Sequence, residues 1–169
     1  EIDSLIREVI DFPKKGISFK DISPLLMDKD ISDKIILEFE SRVMDFDLDA
    51  IVGIESRGFL YGFLLANKLG IPFIPIRKSG KLPCKTFKYK YDLEYGSASL
   101  EIHTDAAGAN DNVLLVDDLI ATGGTAAASC ELIEELGAKI VGCAFIIELD
   151  FLNGREKLDK YNIHSLIHY

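Results

Sequence analysis

Hydrophobic residues along this chain fall into short groups whose spacing changes from one segment to the next. Ile2, Leu5, Ile6, Val9 and Ile10 recur at helical intervals behind Asp3 or Ser4 as a cap, which predicts a short first helix ending near the stretch DFPKKG. Residues 31–44, ISDKIILEFESRVM, predict a second helix opened by Ser32 or Asp33. Next, DAIVGI reads as a strand, RGFLYGFLLANKLG as a helix closed by Gly70, and PFIPI as a short strand, which together make a β-α-β unit.

The period then changes to two. Phe87, Tyr89 and Tyr91 alternate with Lys88 and Lys90, and Ser99, Glu101 and His103 alternate with Leu100 and Ile102, so two strands joined through DLEYG form a projecting hairpin. NVLLV and KIVGCAFII are unbroken apolar runs of the kind buried in parallel sheets, and GTAAASCELIEELG between them is a helix ended by Gly137. The expected fold class is therefore α/β, a twisted and mainly parallel sheet flanked by helices on both faces.

Composition narrows the function. With 169 residues, 48% hydrophobic and 28% charged, one ordinary domain with a packed core is expected, spanning residues 1–169. Cys84, Cys130 and Cys143 are odd in number, far apart and outside any metal-binding spacing, so they read as free thiols in a reducing compartment. No apolar run is long enough to span a membrane, and the acidic, amphipathic start is unlike a secretory signal, so a cytoplasmic protein is expected. A net charge of −9 argues against nucleic acid as a partner. Yet Arg77, Lys78, Lys81, Lys85, Lys88 and Lys90 place six of the 19 basic residues in one short segment, which points to a small polyanion.

The chemistry concentrates in residues 113–128, VLLVDDLIATGGTAAA. Asp117 and Asp118 follow the apolar strand, where open α/β sheets place their ligands, and two adjacent carboxylates there need something that both can hold. The loop Ala121, Thr122, Gly123, Gly124 and Thr125 offers turning backbone N–H groups, two hydroxyls and the positive end of the next helix, a pocket for one phosphate. Neither the lysine of a triphosphate loop nor the glycine pattern of a dinucleotide loop is there. Carboxylates suited to vicinal hydroxyls beside a monoester pocket fit a ribose 5-phosphate.

These residues resemble the 5-phosphoribosyl 1-pyrophosphate (PRPP) signature of type I phosphoribosyltransferases. DFPKKGISFKDISPLL, GIESRGFLYG, RKSGKLP, YDLEYG and VDDLIATGGT are similar, in order, to the blocks of the adenine phosphoribosyltransferase family and span nearly the whole chain. The resemblance implies purine salvage: adenine and PRPP give AMP and pyrophosphate, with Mg2+ carried on PRPP oxygens rather than by direct protein ligands, in a homodimer. It implies a small N-terminal hood over residues 1–30 and a flexible hairpin over residues 79–103.

The resemblance also assigns roles. Asp117 and Asp118 hold the ribose, and residues 121–125 hold the 5'-phosphate. Glu55, Ser56, Arg57 and Gly58, with a cis bond between Glu55 and Ser56, face the pyrophosphate with Arg77, Lys78 and Lys81. Arg57 and Glu94 are catalytic, Glu94 handling the proton near the imidazole nitrogen of the base. Phe19 stacks on the adenine while the main chain of Ser18 and Lys20 reads its edge. The family usually has arginine where Lys20 stands, and a lysine ammonium can donate to a 6-oxo group, which keeps a 6-oxopurine as the alternative base. A regulator that senses PRPP without chemistry would need a DNA-binding region, and the chain carries no basic helix for one.

Overall fold

The computed structural model describes residues 2–93 and 96–169. The chain divides into two compact units, residues 1–38 and 39–169. In the first, β1 (Arg7–Ile10) pairs antiparallel with β2 (Ser18–Asp21), followed by α1 (Ser23–Met27) and the start of α2 (Lys29–Val43). The second begins within α2 and contains β3 (Ala50–Ile54), α3 (Arg57–Leu69), β4 (Phe73–Lys78), β5 (Thr86–Asp92), β6 (Ser97–His103), β7 (Asn112–Ile120), α4 (Gly124–Glu135), β8 (Lys139–Glu148) and β9 (Ile163–His168).

The expected first helix is not formed. Asp3–Leu5 is a single 3-10 turn and the chain then extends as β1, where Val9 lies opposite Phe19 and Glu8 opposite Lys20. Five apolar residues at helical spacing make too short a segment to nucleate a helix when β-branched Val9 finds an aromatic partner, Phe19, across a strand pair. The second helix starts earlier than Ser32 or Asp33, because the Asp28 side chain accepts the Ile31 N–H at 3.1 Å and caps it.

The seven-stranded sheet has the order β5-β6-β4-β3-β7-β8-β9. β4, β3, β7, β8 and β9 are parallel, while β6 joins β4 and β5 antiparallel, so the predicted hairpin forms one edge of the sheet. From β3 the chain crosses through α3 to β4 on one side; from β7 it crosses through α4 to β8 on the other. Two right-handed crossovers in opposite directions put α3 and α4 on opposite faces. Alternation along the strands agrees: Ala50, Val52, Ile54, Val113 and Leu115 cluster with Ala126, Cys130 and Ile133 of α4, while Ile51 lies under α3 at Gly62.

β9 and the two 3-10 turns before it, Asp150–Leu152 and Gly154–Leu158, were not legible as apolar runs. The sheet edge they complete carries a buried carboxylate, Glu148, held by Arg155 through two hydrogen bonds of 2.8 and 2.7 Å and by the Ser165 hydroxyl. The Arg155 hydrogen bonds are the main cause that sets the Glu148 carboxyl below its ordinary range, against the opposing effect of burial.

Because a lowered folded-state pKa adds stability above the unfolded value and loses it as pH falls through the folded one, Glu148 contributes at neutral pH and not in strong acid. Arg155→Met should lower unfolding free energy by about 1 to 2 kcal/mol at pH 7, a figure reduced for the half-exposed guanidinium. Denaturant melts at pH 7 and below pH 4 check this, the difference from wild type shrinking in acid.

Candidate active site

The sheet parts where β3 and β7, paired only as far as Gly53 and Val116, send their chains to opposite sides. Beyond that point β7 continues to Ile120 by pairing with β8 alone, so Asp117 and Asp118 lie within the strand rather than after it, with one edge open. A cavity of about 800 Å³ occupies the opening. Ligands in open α/β sheets lie at such a reversal of strand order.

Three loops meet there. After β3, the Glu55–Ser56 peptide is cis, as the resemblance implied, and α3 begins at Arg57. Its first turn is pressed against the aspartates. A Cβ on Gly58 would stand 2.8 Å from Asp117 Oδ1 and 2.8 Å from the Val116 carbonyl oxygen, so only glycine allows the approach. Arg57 Nε lies 2.8 Å from Asp118 Oδ2, and Asp117 Oδ1 accepts the Asp118 N–H at 2.9 Å.

The pair is electrostatically loaded. Burial first, then the neighbouring Asp118 charge, push the Asp117 carboxyl well above its ordinary range; Asp118 is raised by burial, with Arg57 acting in the opposite direction. Such a pair is poised for hydroxyl donors or a cation. That fits Mg2+ brought in with a substrate. Among the described residues the three-membered group of metal-ligating type is Glu148, Asp150 and His168, at the β8–β9 edge, where Arg155 already occupies Glu148.

The loop after β7, expected from the sequence to take a phosphate, borders this cavity. Ala121, Thr122, Gly123, Gly124 and Thr125 all line the cavity, and Gly123 caps α4 with φ 78°. A residue the sequence reading missed shapes it: a Cβ on Gly123 would sit 2.3 Å from the Gly154 carbonyl oxygen, and one on Gly154 would sit 2.3 Å from that of Ala121. Two backbones therefore touch. The sole sequence signal was an isolated NG pair before a charged stretch. Tyr91 of β5, also unforeseen, reaches the same loop, its hydroxyl 3.0 Å from Thr125 Oγ1.

The end of β4 and the loop after it carry the cations Arg77, Lys78 and Lys81. Glu55, 7% exposed, accepts from Arg77 Nη2 at 3.0 Å, from Lys81 Nζ at 2.8 Å and from the Lys78 N–H at 2.7 Å. Burial opposes ionisation of Glu55, but Lys81, the Lys78 N–H and Arg77 outweigh it and hold its pKa down to about 2. Hence the Glu55 side chain, at the cavity wall, gathers the basic residues around it. Glu101, read as part of a polar strand face, is buried and does the same from β6, accepting from the Ser79 hydroxyl at 2.9 Å, the Gly80 N–H at 3.0 Å and Lys88 at 3.2 Å. Lys78 lines the cavity beside Ser56 and Arg57.

Ser18, Phe19 and Lys20 form part of β2 in the first unit. Phe19 is half-buried with its ring edge-on to Phe12, the centroids 5.3 Å apart, and Glu8 receives both the Ser18 hydroxyl and, at 3.0 Å, the Lys20 ammonium. Glu94 lies outside the described residues.

Comparison with known proteins shows the family and the fold. Residues 28–167 match the phosphoribosyl transferase domain. The adenine phosphoribosyltransferase of Nitrosococcus oceani is 57% identical over 97% of this chain and 96% of its own. The crystal structure of the adenine phosphoribosyltransferase from Thermoanaerobacter pseudethanolicus superposes with a TM-score of 0.97 at 50% identity, covering 99% of this chain and 98% of its own. That from Saccharomyces cerevisiae, complexed with an imino-altritol bisphosphate and adenine, gives 0.93 at 44% identity, with coverage of 98% and 96%.

Raised pKa values make a stability claim with a definite sign. An aspartate whose pKa is raised on folding loses stability as pH climbs above its ordinary 3.8. Asp117→Asn should therefore melt higher than wild type at pH 7 and about equally at pH 4, while its use of a ribose phosphate weakens by roughly 1.5 to 3 kcal/mol. Thermal melts at the two pH values and steady-state kinetics measure both halves.

Proposed function

This chain belongs to the phosphoribosyltransferase family, and from that premise we propose that it joins adenine to the ribose of PRPP, releasing pyrophosphate and AMP. The observation that carries the reading is a cavity whose two sides differ: a glycine-turned loop with helix N–H groups on one, the end of β4 with Lys78 on the other, and a carboxylate pair between them. A sugar with a monophosphate at one end and a diphosphate at the other matches that order.

In the reaction the bond from the anomeric carbon to the diphosphate oxygen breaks, and a bond from that carbon to an imidazole nitrogen of adenine forms. Positive charge develops on the ribose while negative charge accumulates on the leaving group. Asp117 and Asp118 accept from the ribose hydroxyls and stabilise the cationic sugar; the N–H groups of Ser56, Arg57 and Gly58, with Arg77, Lys78 and Lys81, receive the diphosphate. Magnesium, when bound, neutralises the phosphate oxygens. Glu55 acts on this end indirectly, by holding Arg77 and Lys81.

The base is read by residues 18–20. A main-chain carbonyl accepts from the adenine amino group and an N–H donates to the ring nitrogen beside it, with Phe19 against the ring. That the Lys20 ammonium is drawn to Glu8 favours adenine over a 6-oxopurine, since it leaves the edge reading to the backbone. The resemblance gives Glu94 the base's proton. We read residues 1–169 as one functional domain, with residues 1–30 as the base-binding hood and residues 79–103 as the hairpin that shields the reacting carbon from water.

A cytoplasmic homodimer completes the proposal. Leu60, Phe63 and Leu64 recur along α3 and stay 43%, 58% and 44% exposed, an apolar row that a second copy would cover. No helix among the described residues is long and apolar enough to cross a membrane.

Incubating the protein with Mg-PRPP and each of adenine, hypoxanthine, guanine and xanthine tests the reading. Adenine should exceed hypoxanthine by about a hundredfold or more in kcat/KM, because a 6-oxo group would face a carbonyl and leave buried polar groups unpaired. Equal use of the two would move the function to 6-oxopurines. Glu94→Gln should lower kcat by roughly 10²- to 10⁴-fold with a smaller change in the KM for PRPP.

A further inference from the structure

The phosphate loop contributes no charged side chain of its own, yet the fold brings one to it from far along the sequence. The 3-10 turn Gly154–Leu158 is fastened at three places: Gly154 touches the backbone of Ala121 and Gly123, Arg155 grips Glu148, and Leu158 is fully buried. Lys157 sits between the last two of these anchors. A methyl group placed on Gly124, the first residue of α4, would lie 4.0 Å from Lys157 Nζ, 3.9 Å from Thr122 Oγ1 and 3.8 Å from Cδ2 of Tyr91. An ammonium, a hydroxyl and a ring thus converge on one point above the helix N-terminus. Among the described residues Lys157 makes no ion pair.

We propose that Lys157 is a binding residue for the 5'-phosphate, resting on the reading of this cavity as a PRPP site. A helix N-terminus offers about half a positive charge and directed N–H groups, which suit a phosphate oxygen but do not balance a dianion. Lysine adds a full charge as a compact point donor, and the anchored turn limits the freedom lost when it closes on the ligand. Because the same phosphate is present in substrate and product, Lys157 acts on binding more than on the chemical step.

Calorimetric titration of the full chain with ribose 5-phosphate and, separately, with magnesium pyrophosphate tests the assignment. Lys157→Ala should weaken ribose 5-phosphate about fivefold, a modest factor for an exposed lysine, leave magnesium pyrophosphate within twofold, and raise the KM for PRPP by a similar fivefold with a smaller change in kcat. Lys157→Arg should restore most of the affinity. Unchanged ribose 5-phosphate affinity in Lys157→Ala, or an equal loss for both ligands, would overturn the inference. A wild-type protein that makes no AMP, while Lys157→Ala still loses ribose 5-phosphate, would instead overturn the proposed reaction and leave this assignment standing.

Discussion

Two adjacent carboxylates held out of water at the open edge of β7 are the constraint around which this site is arranged. Like charges at such a position repel each other and resist desolvation, so the surroundings must supply compensation at short range. The first turn of α3 does so. Its N-terminus faces the pair, Arg57 contacts Asp118, and Gly58 allows the helix backbone to close on Asp117 with no side chain between them. That contact also fixes the helix relative to β7, and with it the direction in which the N–H groups of residues 56–58 point. Compensation remains incomplete, as both raised pKa values record, and the unbalanced part is what a ligand rich in hydroxyls can relieve.

The cationic side of the cavity is arranged by the opposite means. Arg77 and Lys81 are long, flexible side chains that would lose considerable entropy on gripping a ligand. Glu55 collects both before any ligand arrives, and Glu101 fixes the turn between β4 and β5 through Ser79 and Gly80. Each carboxylate is buried and each is kept ionised by the donors around it. On the proposed function, a diphosphate would meet partly ordered cations whose charge is already partly offset, which moderates affinity and favours release of a leaving group.

How much of this was legible in the sequence depends on whether the signal was local. The strand of residues 112–116, the glycine-turned loop and the small-residue helix start all sit within one short stretch, so the local pattern alone located the aspartates and the loop that border the cavity. The extension of β7 from Asp117 to Ile120 was hidden because β8, distant in sequence, supplies its partners. Ile2, Leu5, Ile6, Val9 and Ile10 satisfied a helical period by coincidence, and pairing with β2 decided otherwise. Glu101 looked like a solvated alternation partner; nothing in its neighbourhood announced that Ser79, Gly80 and Lys88 would surround it. Gly154 was invisible for the same reason. Its role exists only because residues 121–123 pass over it.

On the proposed function, the contrast between the two ends of the cavity follows from what each would do during transfer of a phosphoribosyl group. The 5'-phosphate stays on the sugar from substrate through transition state to product, so contacts with it bind all three about equally and anchor the ribose without lowering the barrier. Rigid backbone suits that task, and the loop is built of it, wedged between α4 and Gly154. The diphosphate gains charge as its bond to carbon breaks, so contacts there strengthen along the reaction and are the ones that accelerate it. Side-chain cations that can tighten by a fraction of an ångström suit that task better than fixed N–H groups alone. A sheet that parts between β3 and β7 provides both, since the strand ends on either side of the gap lead into loops of different composition while the aspartates stay fixed between them.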